Sequence, residues 1–580
     1  MVKGFGGSSG FAVGRAFVMP SWEWELPDKM VDVADLAIEF EKLYEGIRCS
    51  KSEIENIKQD ISDLIGEEES NIFNAHLAIL EDPIFMNEIQ GLMQRQYKAA
   101  EVAVKETIDK FVSMFDLLDD DYMKERAADI KDVGNRLLKH LLGELEEADP
   151  PADAPYILVV KEMSPSHLAR MDSSQVLGVV TMLGGATSHA AIMLRAMGIP
   201  FAIGMEGKLA SPVQTGDIVI INGDEGTVIV NPGLEVIAEY EEKRDHAAAH
   251  LERLKGIAHV PCVTRDGVKM ELKANISSAK ELDIALKNGA TGVGLFRTEF
   301  LYMDRVTLPK EEEQYEVYRE AAVKLNGKPL VIRTLDVGGD KSVDFMSFPQ
   351  EDNPALGYRA IRISLDRKDL FKTQLKAILR ASAHGNVRIM YPMISSVGEV
   401  RKANEILEQA KSELVREGKK FREDTPVGIM IEVPAAVLIA DMLADEVQFF
   451  SIGTNDLVQY VLAVDRMNET VASLYDPYHP AVLRLLKQVA DSAKAKMIPV
   501  SVCGEMAGDP EAMPLWLGLG IRELSMSVQS LLTVKEKVLH SEAKAGEVFL
   551  RNALRCRLSE EIRHELNDCC HEQEMSPKEG

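Results

Sequence analysis

The chain has 580 residues, too long for one core, so roughly two to four domains are expected. Its 46% hydrophobic and 27% charged residues are the composition of a folded chain, and the net charge of -27 disfavours nucleic acid and anionic lipid as partners. Six cysteines without C-x-x-C spacing argue against a zinc site or a disulfide scaffold, and no apolar run reaches signal-peptide or membrane-span length, so the expected compartment is the cytoplasm.

In chain order, FAVGRAFVM near the start reads as a strand. From residue 33 the pattern turns helical. Leu36, Phe40, Leu43, Ile47, Ile54, Ile57, Ile61 and Leu64 form a heptad-like seam, and a second stripe follows at Ile72, Phe73, His76, Leu77 and Leu80. Residues 33–147 are expected to be a helical bundle, closed by the proline cluster ADPPADAP. YILVV, QVLGVVT, FAIG and DIVIING then read as strands of a small α/β domain, 148–231, to which residues 1–32 add a strand, making the bundle an insertion. Residues 232–259 are charged and rich in helix formers, as in an exposed connecting helix. From 260 to 567, eight apolar runs alternate with helical segments: ELKANIS, TGVGLFR, PLVIRT, VRIMYPM, VGIMIEV, FFSIGT, IPVSVC and ELSMS. Alternation of this kind predicts a C-terminal (β/α)8 TIM barrel, with an open doubly wound sheet as the alternative. Residues 568–580 read as a polar tail.

In a barrel of this kind the active site lies where the strands end. The eight runs end at Asn275, Arg297, Arg333, Met390 to Pro392, Glu432, Asn455 with Asp456, Cys503 and Ser525. Arg297, Arg333 and Arg466 offer planar forks for carboxylate or phosphate oxygens. Glu432 and Asp456 follow consecutive strands and suit Mg²⁺, which keeps waters and bridges to a substrate phosphate. The rim therefore fits a small, multiply anionic substrate, and Lys341 in GGDKS adds charge from a loop. Cys503 in VSVCGEMAG is an acid, a nucleophile or an inert strand thiol.

A lone histidine stands in GGATSHAAIMLRAMGIP, residues 184–200. Thr187 or Ser188 suits an N-cap and Gly198 a helix stop, which places His189 in the first turn. The positive end of the helix disfavours imidazolium and would stabilise an attached anion. That is the design for a histidine that accepts a phosphoryl group. A packed histidine without chemistry is the plainer reading, and a metal ligand is disfavoured because no second histidine or cysteine lies nearby.

This segment resembles the phosphohistidine motif of enzymes that use phosphoenolpyruvate. GVGLFRTEFLYMDR, RTLDVGGDK, NPALGYRAIR, EVPAA, SIGTNDLVQYVLAVDR and VCGEMAGD resemble their barrel motifs, in order, through almost the whole chain. The chain is similar to the enzyme I family of phosphoenolpyruvate–protein phosphotransferases, which begin bacterial sugar uptake. The resemblance implies that His189 takes phosphate from phosphoenolpyruvate and passes it to a histidine of the carrier HPr. Arg297, Arg333, Asn455, Asp456 and Arg466 would bind the substrate, Glu432 and Asp456 would hold Mg²⁺, and Cys503 would protonate the enolate to give pyruvate. The bundle resembles the HPr-docking domain, with Glu67, Glu68, Phe73 and His76 on its second hairpin. A swing about the connecting helix and a homodimer formed through the barrel are further expectations. Leu194 stands where the phosphohistidine motif commonly has Ala, and Leu168 where many members carry a hydroxyl, which leaves the group orienting His189 open. Pyruvate phosphate dikinase and phosphoenolpyruvate synthase share these modules but need a nucleotide-binding domain for which the chain has no room.

Overall fold

The computed structural model describes residues 2–575 except 7, 9, 20–25, 27–29, 65–69, 71, 117–120, 144–153, 165–166, 169–170, 173–174, 185–188, 210, 304, 306, 339–350, 467 and 469. It divides into two compact units, Met1–His250 and Leu251–Gly580.

Among the described residues the first unit holds seven strands: β1 (Val2–Lys3), β2 (Phe11–Val18), β3 (Tyr156–Val160), β4 (Val176–Thr181), β5 (Phe201–Ala202), β6 (Ile218–Asn222) and β7 (Thr227–Val230). They form one sheet in the order β1-β7-β6-β2-β3-β4-β5. β3 lies inside this sheet, and every one of its residues is buried. Tyr156, Leu158 and Val160 enter one core with Phe17, Leu43 and Leu194, while Ile157 and Val159 enter another with Ala12 and Val219. Burial on both faces explains why YILVV reads as an unbroken apolar run.

Among the described residues, five helices lie between β2 and β3: Leu36–Leu64, Ile72–Glu81, Pro83–Gln96, Ala100–Asp116 and Asp121–Leu142. Leu43, Ile47, Ile54, Ile57 and Ile61 of the seam are buried. Asp82 caps the third helix, accepting from the N–H groups of Ile84 at 2.6 Å and Phe85 at 3.2 Å. Because β2 pairs with β3, with Arg15 opposite Tyr156, the helices interrupt the sheet in sequence without interrupting it in space. His189 begins the helix His189–Ala196, and Gly198, at φ 68, ends it. The charged helix Leu234–Gly256 follows β7; Tyr240 meets Phe11 edge-on at 5.8 Å.

In the second unit β8 (Glu271–Ile276), β9 (Val293–Phe296), β10 (Pro329–Arg333), β11 (Asn386–Tyr391), β12 (Val427–Ile431), β13 (Phe449–Ile452), β14 (Val500–Val502) and β15 (Glu523–Met526) form a closed barrel. Every pairing is parallel, and β15 closes on β8 with Glu523 opposite Glu271. Closure decides against the open sheet. Leu272, Ala274 and Ile276 pack outward beneath the helices, whereas Leu295, Val331, Met390, Met430, Phe449 and Cys503 form an inner cluster. The chain end differs from the expected tail: a helix runs Ser559–Met575 and buries Ile562, Leu566, Cys569 and Cys570. Their spacing is a helical stripe, which the polar residues around it obscure in the sequence. Among the described residues no helix is long and apolar enough to cross a membrane.

Candidate functional site

The barrel's strand ends deliver an alternating ladder of charge. Arg333, the last residue of β10, is 5% exposed and pairs with Glu299 and, at 2.8 Å, with Asp336. Asp336 also takes Arg359 at 3.1 Å, and Arg359 reaches Asp456 at 3.5 Å. Asp456, in the first turn of the helix Thr454–Leu462, stands 4.0 Å from Arg466. Buried charges persist only when paired, and each inner member here has partners on two sides. Coulomb attraction to Glu299 and Asp336 outweighs the burial cost and raises Arg333 further above its ordinary value. Arg359 behaves alike, against Asp336 and Asp456.

Glu432 follows β12 and is 1% exposed. Met393, at φ 54, turns its N–H onto Oε1 at 2.6 Å. A Cβ on Gly453 would lie 2.9 Å from Oε2 and 3.0 Å from Met430 Sδ, so glycine there leaves that oxygen its space. Burial, then the charges of Asp456 and Asp336, push Glu432 up to about 8, with Arg333 acting the other way. Two crowded hard-oxygen carboxylates of this kind fit a small dication. Among the described residues no group of three or more His, Cys, Asp or Glu side chains forms a metal cage, so such a cation would draw its remaining ligands from water or substrate.

Cys503 follows β14, 4% exposed, with Sγ 3.6 Å from the carbonyl of Ile452. Burial and the charge of Glu432 push its thiol up to about 11, against the pull of Ser451, Arg333 and Arg297. At neutral pH it keeps its proton, as an acid must and a thiolate nucleophile does not. Arg297 follows β9 and is exposed. Asn455 donates to Glu505 Oε1 and accepts from the Glu505 N–H, both at 2.8 Å.

The structure thus gathers Arg333, Glu432, Asp456, Arg466, Asn455, Arg297 and Cys503 at the barrel's C-terminal end. Lys341, Glu67 and Glu68 lie outside the described residues. Phe73 and His76 correct the expectation of a docking face: both are 0% exposed, Phe73 in the bundle core and His76 3.3 Å from Asp129. The apolar stripe that carries them turns inward. Leu168 and Leu194 are core residues as well. Sequence reasoning missed Arg359, Asp336 and Glu299 as site residues, although the motifs NPALGYRAIR, RTLDVGGDK and GVGLFRTEFLYMDR contain them. Asp336 and Arg359 fall in loops and Glu299 in a short 3-10 helix, all beyond the strand ends, where the strand-end rule does not look.

Counting formal charges, Arg297, Arg333, Arg359 and Arg466 balance Glu299, Asp336, Glu432 and Asp456. Fold and site define a barrel enzyme for a small polyanion taken together with a cation. The family models agree with this class. The chain matches "PEP-utilising enzyme, PEP-binding domain" over residues 251–543, the N-terminal model of the same enzymes over 3–126 and their mobile domain over 152–226. It is 45% identical to the phosphoenolpyruvate-protein phosphotransferase of Geobacillus stearothermophilus, covering 93% of this chain and 92% of that one. Against the protein of that name from Bacillus subtilis it is 42% identical, covering 97% and 98%. A solved structure described as "NMR solution structure of Enzyme I (nEIt) protein" matches 43% of this chain and 100% of its own, at 33% identity and a TM-score of 0.36. The chain belongs to the PEP-utilising enzymes, in the branch of the phosphoenolpyruvate-protein phosphotransferases.

Proposed function

We propose that the barrel mouth binds phosphoenolpyruvate, that His189 accepts its phosphoryl group, and that Cys503 protonates what is left. The chain is a phosphotransferase that uses phosphoenolpyruvate as donor. Arg297, Arg333, Asn455 and Arg466 would hold the phosphate and carboxylate, with Arg359 stiffening the ladder through Asp336 and Asp456. Glu432 and Asp456 would hold Mg²⁺, which when bound neutralises charge on the phosphoryl oxygens.

The bond from phosphorus to the enol oxygen breaks, and one forms from phosphorus to an imidazole nitrogen of His189. The enolate then takes the Cys503 S–H proton at its methylene carbon, giving the methyl group of pyruvate, and solvent restores the thiol. Protonation at carbon removes the enolate and makes transfer favourable. His189 lies in the first turn of its helix, where peptide N–H groups favour the added phosphate charge. A histidine of HPr would take the phosphoryl group next, docking on segment 33–147 through Glu67 and Glu68 and not through Phe73 or His76. A homodimer in the cytoplasm completes this reading.

The observation that carries it is a buried thiol at the same end of the barrel as four guanidiniums and four carboxylates. Phosphoenolpyruvate carrying radioactive phosphate tests it. His189→Gln should take up no label while melting like the parent. Label that survives this substitution would remove His189 from the chemistry.

A further inference from the structure

We infer that Asn275 is the positioning residue for the proton donor. Alternate residues of β8 pack outward, which turns Asn275 toward the barrel interior at the strand's C-terminal end. Its Nδ2 donates to the Cys503 carbonyl at 2.9 Å, and its Oδ1 accepts from Ser525 Oγ of β15 at 2.6 Å. A carbonyl only accepts, so the amide can face in one direction alone. Gly294 of β9 makes room for this arrangement, because a Cβ there would lie 2.5 Å from Ser525 Oγ.

The Cys503 peptide is gripped elsewhere too. Its N–H donates to the Ile452 carbonyl at 3.0 Å, and the N–H of Glu505 is held by Asn455. Asn275 supplies the remaining hold, on the carbonyl that precedes Gly504. Without it, the peptide between Cys503 and Gly504 can rotate and carry the thiol with it. A proton bound for carbon must arrive along the face of the enolate π system, so a small displacement of the donor costs rate. The chain Ser525–Asn275–Cys503 therefore orients the thiol, and Asn275 touches no reacting atom. This inference rests on Cys503 being the acid.

Single-turnover pyruvate formation from phosphoenolpyruvate with Mg²⁺ tests it in the full-length chain. Asn275→Ala should slow pyruvate formation by about 10- to 100-fold while leaving KM for phosphoenolpyruvate unchanged. Asn275→Asp should also be slow, because a carboxylate would face the Cys503 carbonyl. Ser525→Ala, which removes one hydroxyl only, should act in the same direction more weakly, and it stands in if the Asn275 variants do not fold. In a Cys503→Ala background Asn275→Ala should add nothing. If Cys503→Ala is slow but Asn275→Ala is not, or if their effects multiply, the positioning role falls and the acid stands. If Cys503→Ala runs at the parent rate, the acid assignment falls and this inference with it.

Discussion

Arg333 touches two buried carboxylates, Glu299 and Asp336, and Asp336 shares itself with Arg359. Removing one member of such a set strands the others, which costs far more than the set itself contributes. Arg333→Met should therefore destabilise the barrel by about 3–5 kcal/mol, read from denaturant unfolding. Adding Glu299→Gln should return part of that loss, because the stranded carboxylate becomes a neutral amide. Affinity for phosphoenolpyruvate should stay lost, since the guanidinium fork is gone. A double variant no more stable than Arg333→Met would show that the pair is not a linked unit. Arg333, Glu432 and Cys503 were legible in the sequence because each interrupts or ends an apolar run. Arg359 and Glu299 were not, because a charged residue outside the strands looks the same whether it faces water or a buried partner.

At the level of elements, the strands that matter most were the easiest to read. The eight barrel runs stand out because the faces covered by helices are apolar, while the inward faces mix apolar side chains with polar ones such as Lys273, Asn275 and Ser525. β1 and β7, of two and four residues, were missed in the sequence. Helix ends carry their own chemistry, and one links distant parts of the barrel unit. Asp266 accepts from the N–H groups of Ala543 at 3.0 Å and Lys544 at 3.1 Å, at the start of the helix Ala543–Ala553. Burial works to raise its pKa, but the bonds from Thr264, Ala543 and Lys544 prevail and hold it below the usual carboxylate range. A depressed folded value means that the stabilisation is present above the unfolded pKa, near 3.9, and is lost as pH falls through the folded one. Asp266→Ala should cost about 1 kcal/mol at pH 7, a value set by the cap because the group is largely exposed. The gap between parent and variant should narrow as pH falls from about 4 through the folded value. A gap that does not change with pH would assign the effect to packing.

For the molecule as a whole, the two kinds of chemistry belong to different compact units. His189 lies in Met1–His250, and the charge ladder with Cys503 lies in Leu251–Gly580. In the proposed reaction, phosphoryl transfer joins a group on one unit to a substrate held by the other, so the covalent connection between them would act as a local concentration. A short tether typically supplies an effective concentration on the order of millimolar. Cutting the chain at residue 250 turns that intramolecular step into a bimolecular one. With each piece at about 10 µM, labelling of His189 by phosphoenolpyruvate should fall roughly 100-fold or more below the intact chain. Binding of phosphoenolpyruvate should stay with the piece 251–580, because every residue of the ladder is in it. Back-transfer from phosphorylated HPr onto His189 should stay with the piece 1–250, because that reaction needs no barrel. Raising both pieces together should restore labelling in proportion to concentration. Equal rates for the cut and intact chains at 10 µM would mean that the two pieces assemble through a tight interface, and that connection through the helix Leu234–Gly256 contributes nothing to the transfer.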